Sequence, residues 1–287
     1  MHHSAPAPPE GPQRPRSRPS RALLFVAGGT AVSFVAVLIV VLSSGGNIQF
    51  DMTIHAAAVG MRRPATSVAA TAITSLGTFP LLVGLAAAAA AGMWLQTRRI
   101  DRSAMLLLGL ATVAGTVFLL KIAVARHRPP TTALLGSPSW DYAFPSGHTA
   151  NGTVTWMLVA VLLTADLARW ARRAAVIAGC LVSVAIGLSR VYLGYHWMTD
   201  VIAGWLIATL IICLALYLGR AGVIDWITFR TMLNGRTSFP DLDPSDRDVV
   251  SEPSTQIAAS RQLSGEPPRP APDHTPRPAD PAPRDGS

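Results

Sequence analysis

The sequence predicts an all-α fold, a polytopic membrane helical bundle of six transmembrane helices with both termini on the cytoplasmic side. Three observations predict it. Of its 287 residues, 50% are hydrophobic and only 14% charged, well below the roughly 25% charged residues of soluble domains. Six stretches approach the roughly 20 apolar residues that a helix needs to cross a bilayer. The segments between them alternate in arginine content, as the positive-inside rule requires of cytoplasmic and outward loops.

The elements follow in order. Residues 1–20 are rich in Pro and Arg and bury too little apolar surface to offset their ordering entropy, so they read as a disordered cytoplasmic tail. His2 and His3 lack partners at metal-ligand spacing. The first span is Ala22 to Leu42; it starts too late, runs too long and lacks a small-residue cleavage site, so it reads as a retained helix and not a signal peptide. Asn47 to Pro64 is too polar to cross and reads as an outer interfacial turn or short helix. A second span lies within Ser67 to Leu95, interrupted by Gly77 and Pro80; its alanine run, Ala86 to Ala91, suits close helix packing in lipid. Four more follow: Ala104 to Val124, Gly152 to Ala168, Ala174 to Ser189 and Thr199 to Leu218. Residues 221–240 form a possible interfacial segment, with Val223 to Leu233 amphipathic. Residues 241–287 are a disordered Pro-rich cytoplasmic tail, which leaves 21–220 as the membrane domain.

The formal net charge of +8 would suit nucleic acid if it were clustered. It is instead spread over alternate flanks, at Arg14, Arg16, Arg18 and Arg21, at Arg98, Arg99 and Arg102, at Arg169, Arg172 and Arg173, and at Arg220. This is topology information, and no nucleic-acid partner is expected. Cys180 and Cys213 fall inside spans, where a buried thiol is a small hydrophobe, and give no disulfide or metal signal.

The informative polar residues are those on the arginine-poor side: Arg62 and Arg63, then Lys121, Arg126 and Arg128, then Arg190. Lys121 is the only lysine in the chain, and on a continuous helix it shares a face with Arg128, while Arg126 and His127 point elsewhere. A lysine there also fits simple snorkelling to the headgroups. In AFPSGHTAN, Pro145, Ser146 and Gly147 lead into a helix starting near His148, which aims the Gly147 and His148 amides outward as an anion site; a plain serine cap is the other reading. In SRVYLGYHWMTD, His196 and Asp200 are four apart at the start of the last span, so on one helix face the carboxylate fixes the imidazole tautomer. Tyr192, Tyr195 and Trp197 read as an interfacial aromatic belt. The topology brings the outer ends of spans three to six together, so three cations, two histidines and an aspartate converge on a helix N-terminus. Such a set suits a phosphate.

These residues resemble the signature of the type 2 phosphatidic acid phosphatase (PAP2) superfamily. Its three parts are Lys121 through Arg128-Pro129, Pro145 to His148, and Ser189-Arg190 with His196 and Asp200, in the usual order. The resemblance covers about Asp51 to Leu218 and implies a bundle of usually six spans with its site at the extracytoplasmic face. It implies catalysis by His196 as nucleophile, Asp200 as its partner and His148 as general acid and then base. Lys121, Arg128, Arg190, Ser146 and the Gly147 amide would hold the phosphate oxygens. No metal or other cofactor is implied. The expected activity is phosphatase action on a lipid phosphate or diphosphate, of the phosphatidate, phosphatidylglycerol phosphate or polyprenyl diphosphate class, in the plasma membrane. The alternatives are transfer of the phosphoryl group to an alcohol, the soluble vanadium haloperoxidase branch, against which six spans argue, and a non-catalytic binder or transporter of lipid phosphates. Headgroup choice would fall to the rim, Asn47 to Pro64 and Thr131 to Asp141. Neither the lipid nor the oligomeric state is legible.

Overall fold

A computed structural model of the protein describes residues 21–98 and 100–220. The expected tails, 1–20 and 241–287, and the interfacial segment 221–240 lie outside the described residues. Within them the chain is all-helical: α1 (Arg21–Ser43), α2 (Gln49–Gly60), α3 (Pro64–Ser75), α4 (Phe79–Thr97), α5 (Asp101–Val124), α6 (Gly147–Leu163), α7 (Arg169–Tyr192) and α8 (Met198–Arg220), with a single 3-10 turn at Thr131–Ala133. Five of these, α1, α4, α5, α7 and α8, are long and apolar enough to cross a membrane. The protein is a multi-pass membrane protein.

α6 is the central helix, packed against α4, α5, α7 and α8. Its 17 residues sit at the short end of the roughly 17 to 25 that span a bilayer. It stops at Leu163, five residues before the expected Ala168, and Thr164 to Ala168 turn the chain into α7. Its own Val154 and Leu158 are fully buried, as are Leu82 of α4 and Leu106 and Val113 of α5. Phe25, Val32, Phe118, Leu119 and Leu181 are exposed on the outer helix faces, as lipid-facing positions should be. Lipid is as apolar as leucine, so association rests on close packing and small residues more than on water exclusion. Truncating Leu158 to Ala would still cost about 2 to 5 kcal/mol through the cavity it leaves.

The stretch Ser67 to Leu95, expected to hold one interrupted span, is two helices. α3 ends at Ser75, and Pro80 sits in the first turn of α4, where a missing N–H costs nothing. Only α4 is long enough to cross, while α3 packs along α7. Gly77 lies at the break because a Cβ there would meet Ile186 at 2.7 Å and the His148 carbonyl at 3.2 Å. Gly204 does the same on α8, where a Cβ would come within 3.0 Å of the Ser146 carbonyl. These two close approaches seat the start of α6 between the α3–α4 break and α8. The polar stretch Asn47 to Pro64 forms the short helix α2, as expected. Cys213 is buried, but Cys180 is exposed on α7, so only one of the two behaves as an interior thiol.

Candidate active site

The site forms where α5 and α7 end and α6 and α8 begin. α5 stops at Val124 because Ala125 adopts a left-handed conformation, φ 49° and ψ 34°, with its N–H closing on the Lys121 carbonyl at 2.9 Å. Pro129 and Pro130 then prevent the helix from resuming. Lys121 and Arg128 therefore do not share a helix face as expected. They meet because the chain turns back and both bind Asp141: Lys121 Nζ lies 2.9 Å from Oδ2, and Arg128 Nη2 2.6 Å from Oδ1. Lys121 also donates to the Tyr142 carbonyl.

The second motif is held from behind. Phe144 is fully buried and stacks on Phe34 of α1 at 6.3 Å. The Ser146 N–H donates to the Asp200 carbonyl at 3.0 Å, tying the second motif to the third. α6 begins at Gly147 with Ser146 as its N-cap residue, but the Ser146 side chain makes no capping bond. Its hydroxyl accepts instead from Thr149 at 2.9 Å, and the residue is fully buried. Ser146 is not part of the cavity wall; Gly147 and His148 are.

The third motif differs from the expected geometry in one respect. α8 begins at Met198, so His196 precedes the helix and only Asp200 lies in its first turn. The two still face each other, with His196 Nδ1 3.5 Å from Asp200 Oδ2, both fully buried or nearly so. Arg128 Nη1 lies 3.2 Å from His196 Nε2. A guanidinium only donates, so Nε2 is the acceptor and Nδ1 carries the proton; Nδ1 is buried and faces Asp200 without a formed hydrogen bond. Burial, reinforced by Arg128, Arg190 and Lys121, pushes the His196 imidazole well below its ordinary value, which keeps it neutral. The aromatics expected as a membrane belt serve this scaffold. The Tyr195 ring lies 3.8 Å from the Arg190 guanidinium, Trp197 donates to the His127 carbonyl at 3.0 Å, and the Tyr192 hydroxyl pairs with Thr66 at 2.6 Å.

Lys121, Arg128, His148, Arg190 and His196 line one cavity of about 280 Å³, together with Gly147, Asn151 and Asp141. Another part of its lining is apolar, formed by Phe79, Ala114, Val117 and Phe118, of which Phe79 and Phe118 are also exposed on the bundle surface. Arg190 is 5% exposed and donates to Thr74 at 3.0 Å. Asn151 Oδ1 is buried there with no hydrogen-bond partner. Asp200 stands behind His196, outside the cavity lining. Among the described residues, no three His, Cys, Asp or Glu side chains are grouped to hold a metal ion.

Three residues were missed or misplaced from sequence. Asp141, seen only as rim, sits among the cations. Burial raises its carboxyl, but the Ser139 hydroxyl, Lys121 and Arg128 outweigh that and hold it well below the usual carboxylate range. Arg126, expected to point away, turns inward with its side chain 3% exposed and binds Asp200 Oδ1 at 2.6 Å and Asp51 Oδ2 at 2.7 Å. Asp51 comes from α2 and also accepts from the Thr199 N–H at 2.9 Å and its hydroxyl at 2.6 Å. The sequence signals were slight: an acid inside an otherwise mostly apolar short helix, and an extra arginine between Lys121 and Arg128.

An all-helical membrane scaffold that gathers three cations and two imidazoles at one cavity belongs with the membrane phosphatases. Comparison with known proteins agrees. The model of the PAP2 superfamily matches residues 102–222. Phosphatidylglycerophosphatase B of Bacillus subtilis (strain 168) is 32% identical over 185 residues, covering 62% of this chain and 87% of that protein. An undecaprenyl-diphosphatase of Sulfolobus acidocaldarius is 36% identical over 140 residues, covering 46% of this chain and 61% of that protein. The crystal structure of the transmembrane PAP2 type phosphatidylglycerolphosphate phosphatase from Bacillus subtilis superposes with a TM-score of 0.61 at 28% identity, over 67% of this chain and 94% of that one. The chain belongs to the PAP2 superfamily, and it is a lipid phosphatase.

Proposed function

We propose that the protein dephosphorylates a membrane lipid phosphate or diphosphate at the outer face of the plasma membrane, through a phosphohistidine on His196. The observation that carries this is the shared cavity: five cationic or imidazole side chains surround a space with charged walls on one part and apolar walls on another. A phosphate fits the first part and the start of a lipid the second. Residues 21–220 form the catalytic membrane domain, with α6 crossing as a sixth span and both termini cytoplasmic. Support for this orientation comes from the end of the bundle opposite the site, where the α4–α5 and α6–α7 junctions carry Arg98, Arg102, Arg169, Arg172 and Arg173.

In the proposed reaction, Lys121, Arg128, Arg190 and the Gly147 amide hold the non-bridging oxygens, and Ser146, buried behind them, ties the start of α6 to Asp200 through its N–H. The lone pair of His196 Nε2 attacks phosphorus in line while Nδ1–H is held toward Asp200. As the P–O bond breaks, His148 gives its proton to the leaving oxygen, and the neutral His148 then takes a proton from the water that releases phosphate. The substrate is of the phosphatidate, phosphatidylglycerol phosphate or polyprenyl diphosphate class. The test is phosphate release from these three lipids by purified protein in detergent, with His196→Ala as control and chelator present. Release from at least one lipid by the wild-type chain alone is expected. Release by His196→Ala at the wild-type rate would remove the mechanism.

A further inference from the structure

We infer that Arg126 and Asp51 are positioning residues for catalysis: together they form a buried charge chain that aims and tunes Asp200 against His196, and so join α2 to the catalytic machinery. The inference rests on the proposed role of His196 as nucleophile and goes beyond it.

Three side chains alternate in sign, Asp51, Arg126 and Asp200, and they are 1%, 3% and 0% exposed. Arg126 takes Oδ1 of Asp200, while Oδ2 accepts the Trp197 N–H at 2.9 Å and faces His196 Nδ1 at 3.5 Å. With one oxygen fixed by the guanidinium, the carboxylate has a single orientation, and that orientation serves the imidazole. Asp51 restores the charge that Arg126 removes. An Arg126–Asp200 pair alone is neutral and would hold an imidazolium weakly. With Asp51 added the cluster carries a net negative charge behind His196, which favours positive charge developing on the ring as Nε2 bonds to phosphorus.

The geometry of Asp51 fits that task. It also accepts from the N–H and hydroxyl of Thr199, so it caps the first turn of α8, where Asp200 sits. Arg126 is further fixed by the Gly46 carbonyl at 3.3 Å and lies 5.8 Å from the centre of the Trp197 ring. None of these atoms reaches the cavity wall where the phosphate cations lie, so the chain acts through Asp200 and not on substrate.

The experiment compares Arg126→Met, Asp51→Asn and the double variant with wild type, as full-length protein in mixed micelles with phosphatidylglycerol phosphate or whichever lipid the panel selects. In Arg126→Met two buried carboxylates are left without their cation, and one must take a proton. The expected result is a kcat lower by about 10- to 100-fold, the usual cost of losing an outer partner of a working histidine, with KM within about twofold. In the double variant the amide that replaces the Asp51 carboxylate is neutral, so Asp200 no longer faces a second unpaired carboxylate, ionises more readily than in Arg126→Met, and kcat recovers part of the loss. Asp51→Asn alone lowers kcat less than Arg126→Met, again with KM held, and serves as the arm that keeps Arg126 in place if Arg126→Met does not fold. Wild-type kcat in Asp51→Asn, or losses that simply multiply in the double variant, would overturn the inference. If His196→Ala were fully active, the underlying reading would fail instead, so the two failures are distinguishable.

Discussion

The two sides of His196 are built on opposite electrostatic plans. On the cavity side, Lys121, Arg128 and Arg190 are in excess, and the carboxylate that answers them, Asp141, comes from a loop and has its side chain 52% exposed. Behind the histidine, Arg126 is matched by Asp51 and Asp200 in a nearly dry cluster. Uncompensated positive charge beside lipid is costly, so it is kept where an anion will arrive. Charge that only orients a side chain must be paired, because nothing from solvent will neutralise it. On the proposed mechanism, the difference separates residues that would bind phosphate from residues that would prepare the nucleophile.

The sharpest break is His196→Ala, which should lower kcat by about 10⁴-fold or more if the histidine is the nucleophile; single-turnover phosphate release measures it. Next is His148→Ala, expected to cost about 100-fold or more on an unactivated lipid phosphate and far less on a nitrophenyl ester, whose leaving group needs no proton. Equal losses on both would remove His148 from the acid role. The Arg126 and Asp51 variants come third and probe the paired side, where kcat and not KM should move.

Smaller effects are expected on the cavity side. Burial and then the neighbouring cations depress the imidazole of His196, so removing one of those cations should raise it. Arg128→Gln should therefore move the acid limb of the kcat/KM profile to higher pH, besides raising KM. A limb that shifts to lower pH would contradict the contact between Arg128 and Nε2. Asp141→Asn is the mildest. The Asp141 carboxylate holds both Lys121 and Arg128, and its depressed pKa keeps that contact charged through neutral and mildly acid pH. Removing the charge should strengthen inhibition by inorganic phosphate a few-fold, read as a lower inhibition constant near pH 7.

Much of this was legible from residues alone. The apolar runs announced the helices, because a lipid-exposed backbone has no other way to satisfy its N–H and C=O groups than a helix or a closed barrel. The three motifs named Lys121, Arg128, Gly147, His148, Arg190, His196 and Asp200, since few other constellations place cations and imidazoles at such spacing in a greasy chain. The local geometry was less legible. Helical spacing placed Arg128 on the face of Lys121 and sent Arg126 away from both. One left-handed residue, Ala125, reversed that by ending α5 early.

By itself the sequence determined the presence and approximate position of the apolar helices and the chemical identity of the candidate site, because hydropathy and motif spacing are properties of a few local residues. Tertiary structure alone decided which charges meet. Asp51 and Arg126 are 75 residues apart, and nothing local in either predicts the other. The same holds for Asp141, whose exposed loop folds onto Lys121 and Arg128 only because the chain turns at Ala125 and is anchored by Phe144 under α1. Pairing in a low-dielectric interior is enforced by the cost of leaving a charge alone, and that cost appears only when distant segments have been brought together.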